Sequence, residues 1–193
     1  MLLGIHGRAW AGKNLLAEML QSHSLGFADP LYEAISAMFG IPESRLRDRN
    51  RKEETIPWIG KSPRELLQTL GTEWGRGLVR SDIWLRVAEQ RLERAMTAGF
   101  TRVAFSDLRF DNEAEWIRQL GGVVIWITRP GGAACREHVS EAGISPNLVD
   151  FSVANDGTVD DLRRKAIATL EEIQGALQCR RTSRRDTSTP PSR

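Results

Sequence analysis

A chain of 193 residues that is 40% hydrophobic and 27% charged has the composition of a globular domain and the length to bury one ordinary core. No run approaches the roughly 18 apolar residues of a membrane span, and no charged start with an apolar signal core precedes the first strand-like segment, so a cytoplasmic protein without a membrane partner is expected. Two cysteines (Cys135, Cys179) and three histidines (His6, His23, His138) lie in unlike contexts, which argues against a disulfide framework or a zinc site. The formal charge of +2 conceals an asymmetry: CRRTSRRDTSTPPSR, from residue 179 onward, holds five arginines and one aspartate, leaving 22 basic against 24 acidic side chains in residues 1–178. Residues 179–193 read as a disordered, solvated basic tail, the one segment through which nucleic acid would be a partner.

The chain opens MLLGIHGRAWAGKNLLAEML, a strand-like run, a glycine-spaced loop and a helical pattern through Leu15, Leu16, Met19 and Leu20. Gly7, Gly12 and Lys13 fit the G-x-x-x-x-G-K core of a P-loop, whose backbone N–H groups and following helix N-terminus cradle phosphate. A plain strand-to-helix turn is the alternative. The motif as usually written ends in Ser or Thr, whose hydroxyl helps hold Mg²⁺, and here Asn14 and Leu15 follow the lysine.

Leu25–Phe27 is a short strand candidate, and Asp29-Pro30 reads as an N-cap with proline at the first helical position of a helix from Leu31 to Phe39, stopped near Gly40. Residues 42–57 are highly charged and poorly periodic, which predicts an exposed excursion rather than core. Ser62-Pro63-Arg64-Glu65 is a capping box, followed by Leu66, Leu67, Leu70 and Trp74 on one helical face. Ser81 or Asp82 caps a helix carrying Ile83, Trp84, Val87, Ala88 and Leu92, and Gly99 ends it. Residues 102–106 read as a buried strand with Asp107 at its carboxyl end. Asp111 can cap the next helix, with Ala114, Ile117 and Leu120 inward and Gly121-Gly122 at its end. Val123–Ile127 and Phe151–Ala154 are further strands, residues 129–148 an excursion between them, and Val159–Leu177 a terminal helix. This alternation predicts a parallel α/β sheet with ligands at the carboxyl ends of its strands.

Phosphoryl transfer is mostly positioning and charge neutralisation, so it needs a phosphate loop, a metal-directed carboxylate and converging arginines. Asp107 has the placement of a carboxylate that orders Mg²⁺, directly or through water, and equally of a turn aspartate. Arg109, at the same strand end, could hold an acceptor phosphate in its planar fork or form a surface ion pair. Asn112 and Glu113 open the following helix, where they orient these groups or simply cap it.

SPRELLQTLGTEWGR, SDIW, SDLRFDNEAEWI, the REHVSE segment and the late NDGT, with FADPLYEA before them, resemble in their order the motifs of phage-type deoxynucleoside monophosphate kinases. The resemblance runs from the P-loop to about residue 175. It implies a nucleoside-monophosphate-kinase-like P-loop NTPase fold, a three-layer sandwich in residues 1–178, with an acceptor-binding helical region at about 41–98 and a lid at about 129–148. The implied reaction moves the γ-phosphoryl group of ATP to a deoxynucleoside monophosphate with Mg²⁺, in a virus-encoded enzyme. By the same resemblance Gly7, Arg8, Ala11, Gly12, Lys13 and Asn14 bind ATP; Lys13, Asp107, Arg109 and Arg136 serve catalysis; Arg64, Gln68, Trp74, Arg109, Arg129 and His138 contact substrate; and Asn14 and Asp107 face the metal. Trp74 could stack on a base or belong to the core. The Asn14-Leu15 departure bears on metal affinity and turnover, since only Asn14 offers an oxygen. The alternatives are a related small-molecule kinase, such as one acting on dephospho-coenzyme A, or a non-catalytic P-loop protein acting through its tail. A homodimer is compatible with either.

Overall fold

The computed structural model describes residues 1–130 and 143–186. Five short strands, β1 (Leu2–His6), β2 (His23–Leu25), β3 (Val103–Leu108), β4 (Val123–Thr128) and β5 (Phe151–Ala154), form one parallel sheet in the order β2-β3-β1-β4-β5. β1 is therefore central, with β3 and β4 on either side, and the chain reverses its direction of travel across the sheet there.

Strand residues alternate between two cores. Leu3, Ile5, Ile125, Ile127 and Val153 pack under α1 (Lys13–Met19) and α7 (Val159–Asp186), through Leu16 and Ala17 of the first and Leu162, Ala166 and Ile173 of the second. Val103, Phe105, Leu108 and Val124 face the opposite layer, built by α5 (Ile83–Thr97) and α6 (Asp111–Gln119). The expected three layers follow from this alternation. Among the described residues no helix is long and apolar enough to cross a membrane.

A third, smaller core lies beside the sheet, where α2 (Asp29–Phe39), α3 (Glu43–Arg47) and α4 (Pro63–Gln68) bury Tyr32, Ile35, Ile41, Leu46, Ile56 and Leu66. Residues 42–57 are thus no plain exposed excursion, because Leu46 and Ile56 are fully enclosed. Two apolar residues ten positions apart leave no periodicity to read. The capping box is present: Glu65 accepts from the Ser62 N–H at 2.7 Å, and the Ser62 side chain accepts from the Glu65 N–H.

α4 does not continue as an ordinary helix. Over Thr69–Val79 it widens into a π-helical segment, in which Gly71 and Gly75 are buried. The Trp84 indole packs into that widening, its N–H donating to the Gly71 carbonyl at 2.7 Å, and a Cβ on Gly75 would lie 2.5 Å from the ring.

Smaller departures have local causes. β2 stops at Leu25 because the Gly26 and Phe27 N–H groups turn to the carboxylates of Asp29 and Asp107. Asp29 is the first residue of α2 and faces back to Gly26 and to Arg47. Asp82 pairs with Arg80 and Arg86, and no side chain caps α5. Leu120 is half exposed beyond the last turn of α6. α7 runs past Gln178 as far as Asp186, into the segment read as tail, while residues 187–193 lie outside those described.

Candidate active site

The loop after β1 is shaped by its glycines. A Cβ on Gly7 would stand 2.4 Å from the Ile127 carbonyl oxygen, so only glycine lets the chain leave β1 over β4. Gly12 turns into α1 with φ 101°, in the left-handed region, and a Cβ there would meet the Asn155 amide nitrogen at 2.7 Å. That amide, at the end of β5, donates to the Ala11 carbonyl at 2.9 Å, while the Asn155 N–H is held by Thr128 at 2.7 Å. The loop is pinned from a strand two places away in the sheet.

Lys13 folds over the loop and donates to the carbonyls of Gly7 and Arg8 at 2.7 and 3.0 Å. The first turn of α1, with Asn14 exposed on it, aims its N–H groups into the same bowl. Arg8 is exposed and Ala11 buried. Trp10, half exposed at φ 66°, carries the Arg49 guanidinium over its ring at 4.7 Å.

One strand away, Asp107 and Arg109 emerge at the end of β3, whose Leu108 pairs with His6 of β1. Parallel pairing therefore sets the phosphate loop and these two residues side by side. His6 lies between them: its Nδ1 meets the Leu108 carbonyl at 3.0 Å, and burial, with the charges of Lys13 and Arg109, lowers its pKa. Burial and the two nearby cations thus favour the neutral imidazole, against the hydrogen bond to Leu108. Asp107 spreads its carboxylate over the N–H groups of Phe27 and Ala28, at 2.8 and 2.9 Å, at the entrance to α2. Burial raises its pKa, and those two donors act against the rise.

The adjoining cleft lies between α2, α4 with its π-helical extension, and the β3–α6 turn. Arg64, Gln68, Asp107 and Arg109 line it together, as expected. Trp74 is half exposed and does not line it, because the widened turn carries it off the face of Leu66 and Leu70. Arg129 is exposed after β4. Arg136 and His138, with residues 131–142 of the expected lid, lie outside the described residues.

Lys52, Tyr32, Arg76 and Phe110 also line the cleft, none of them a candidate from the sequence. Lys52 donates to the Tyr32 hydroxyl at 2.8 Å, and Arg64 pairs with Glu53 at the same wall. Arg76 stacks over Phe110, its guanidinium carbon 3.9 Å from the ring centroid, and donates to Glu113 at 2.5 Å. Arg76 follows Gln68 and Thr72 eight and four residues on, a same-face helical spacing, but as one arginine among many it carries no signal of its own in the sequence. The one available signal was a pair of glycines four apart, Gly71 and Gly75, inside a helical pattern.

Among the described residues no three His, Cys, Asp or Glu side chains gather as a metal cage. The two regions lie at the ends of neighbouring strands, the Gly7–Lys13 loop after β1 and a cation-lined cleft at the end of β3. This defines the class: an α/β P-loop kinase with the nucleoside-monophosphate-kinase-like arrangement. The solved structure of TT1252 from Thermus thermophilus shares the fold with a TM-score of 0.52 at 19% identity, covering 90% of this chain and 97% of that one.

Residues 47–166 match the model of the deoxynucleotide monophosphate kinase family, and the chain belongs to that family. A protein of Acanthamoeba polyphaga mimivirus, provisionally named deoxynucleotide monophosphate kinase, is 29% identical over 89% of this chain and 96% of its own. The deoxynucleoside-5'-monophosphate kinase of Escherichia phage T5 is 25% identical over 80% of this chain and 89% of its own. The deoxynucleotide monophosphate kinase of Enterobacteria phage T4 is 29% identical over 58% and 46%. The chain is accordingly a kinase of deoxynucleotide monophosphates, working with a nucleotide co-substrate.

Proposed function

We propose that this chain transfers the γ-phosphoryl group of Mg²⁺-bound ATP to a 2'-deoxynucleoside 5'-monophosphate, in the cytoplasm, as a step in making DNA precursors. The observation that carries this assignment of roles is the adjacency of the Gly7–Lys13 loop to the cleft holding Asp107 and Arg109, fixed by the pairing of β1 with β3. An acceptor phosphate oxygen attacks the γ-phosphorus, the bond to the β–γ bridging oxygen breaks, and ADP leaves with the electron pair. The attacking oxygen is already ionised at neutral pH, so no general base is required.

The chain supplies placement and charge. The loop and the first turn of α1 bind the ATP phosphates, with Lys13 as a point charge on the group in transit. Arg109 and Arg64 orient the acceptor phosphate, and Gln68 the rest of the nucleotide. The donor set suits a hard cation held mainly by phosphate oxygens and water. Asn14 and Asp107 would hold Mg²⁺, Asp107 through water, since each of its oxygens already accepts one N–H. When bound, the ion would supply charge neutralisation to the transferring phosphate groups. Both subsites come from one chain, so a homodimer is not needed to complete them. Arg136, His138 and Arg129 are assigned to a lid over the phosphates.

The test is ADP formation with Mg²⁺-ATP and each of dAMP, dGMP, dCMP and dTMP, against the ribonucleotides, dephospho-coenzyme A and an acceptor-free blank. Deoxynucleotide-dependent ADP is the expected result. Folded, ATP-binding protein with no acceptor-dependent turnover would refute the reading and make Asn14 and Leu15 the first positions to revert.

A further inference from the structure

Glu113 is the only charged residue in the fully buried set of the described residues, with 2% of its surface exposed. Two segments meet on its carboxylate, the π-helical turn and the β3–α6 turn. One oxygen accepts from Arg76 Nη2 at 2.5 Å, and the other from the Arg109 and Phe110 N–H groups at 2.9 and 3.2 Å. Arg76 in turn lies over the Phe110 ring and donates to the Ser81 carbonyl at 3.4 Å.

Starting α6 requires only a bond to the Phe110 N–H, which an exposed glutamate could make. Burying an ion pair as well is costly, and an apolar pair of similar volume would serve stability as well or better. The extra contacts do something a cap does not: they fix the two cleft walls that carry Arg76 and Arg109 to one rigid point.

We propose that Glu113 is a positioning residue for the acceptor, holding Arg76 and the Arg109 backbone in the register that a deoxynucleoside monophosphate requires. This rests on the kinase reading above. The carboxylate acts through the two arginines and takes no part in the transfer. Its ionised form is the working one, because a protonated carboxyl loses the charge assistance of the bond to Arg76.

Burial raises the Glu113 pKa to about 7, with Arg76 opposing the rise and Asp107, on β3, adding to it. Lys52, Arg64 and the Arg109 side chain are the other charged groups lining the cleft. Acceptor affinity should therefore improve as pH rises through 7. The acceptor's own phosphate, with a second pKa of about 6, also titrates in this range, so a neutral variant is the control.

The experiment measures KM for acceptor and for ATP, kcat, and calorimetric binding of the deoxynucleoside monophosphate without ATP, in wild type and Glu113→Gln from about pH 6 to 8.5. At pH 8 the variant should bind acceptor about tenfold more weakly, keep the wild-type KM for ATP, and lose the part of the pH dependence centred near 7. A folded Glu113→Gln with wild-type acceptor affinity and an unchanged pH profile overturns the proposal. So do equal rises in both KM values, the mark of general loosening. If Glu113→Gln gives no cooperative melt, Arg76→Gln carries the same test, and unchanged acceptor binding in that variant overturns the proposal. Wild-type protein that binds no deoxynucleoside monophosphate refutes the kinase reading and the proposal together. Equal binding by wild type and variant refutes the proposal alone.

Discussion

Asn155→Ala should loosen the phosphate loop without touching the acceptor cleft. The side chain is 9% exposed, and its amide donates to the carbonyl of Ala11, a residue 2% exposed. Alanine leaves that oxygen buried without its donor and opens a small void beside Gly12. An unsatisfied buried polar group costs about 1–3 kcal/mol, which for a domain of this size lowers Tm by roughly 2–12 °C. The kinetic consequence follows from geometry. Gly12 and Lys13 are proposed to set the loop's grip on ATP, so the KM for ATP should rise while the KM for the acceptor stays put. Thermal melts and a two-substrate kinetic matrix measure both, with Asn155→Asp as the sharper variant, since a carboxylate cannot donate to Ala11. A melt within a degree of wild type, or a rise confined to the acceptor KM, would refute the view that β5 holds the loop in shape.

Lys13→Ala should abolish phosphoryl transfer, read as acceptor-dependent ADP, while the far-UV circular dichroism remains native; a folded variant with wild-type turnover removes the loop assignment. Gly7→Ala should be far worse than an ordinary surface change, because the new Cβ meets a backbone carbonyl at 2.4 Å. Its soluble yield and melt are the checks, and a wild-type melt would contradict that close approach. Stability should also carry the mark of Glu113. A carboxyl with folded pKa near 7 and an ordinary value of 4.5 binds a proton in the native chain that the unfolded chain releases. Stability should thus increase as pH falls from above 7 to below 4.5, by an amount on the order of 3 kcal/mol. Denaturant midpoints of wild type relative to Glu113→Gln across this window measure it, and a flat difference would contradict the shift. Acceptor affinity moves the opposite way with pH, which separates function from fold.

Most of the sheet and its flanking helices are legible in the sequence because β1, β3 and β4 are compact apolar runs and the helices keep an ordinary period, whereas β2, HSL, is no such run and lies two residues before its expected position. Leu162, Ala166 and Ile173 of α7, at that period, all reach the core. The helical region beside the sheet is less so, for two reasons. Leu46 and Ile56 are isolated apolar residues in a charged stretch, and their burial depends on α2 and α4 already being in place. The capping box at Ser62 marks the start of α4 reliably, since a cap is local chemistry, but nothing local announces the widening at Thr69. Carrying the ordinary period through it places Trp74 inward, with Leu66 and Leu70, whereas Trp74 is half exposed. Lys52 is hidden for the first reason, as one cation among many in residues 42–57 until Tyr32 is brought to it.

Asp107 shows why a candidate residue's place at a strand end is legible in the sequence while its setting is not. A carboxylate closing an apolar strand is visible as such, and the parallel order of strands implies that it faces a ligand. Its partners, the N–H groups of Phe27 and Ala28, are some eighty residues earlier and appear only when β2 pairs with β3. Those two bonds anchor the entrance to α2, which carries Tyr32 into the cleft, so the residue proposed to order Mg²⁺ also fixes one wall of the acceptor site. Each oxygen keeps lone pairs beyond the one its N–H uses, which lets both roles coexist. The same economy holds at Glu113 and Asn155: each is a buried polar side chain that ties a distant segment to the end of a strand. In this fold buried polar side chains at the carboxyl ends of β3 and β5 and at the start of α6 tie down the loop after β1 and the walls of the cleft, and so hold in position the lysine and arginines proposed to act on phosphate.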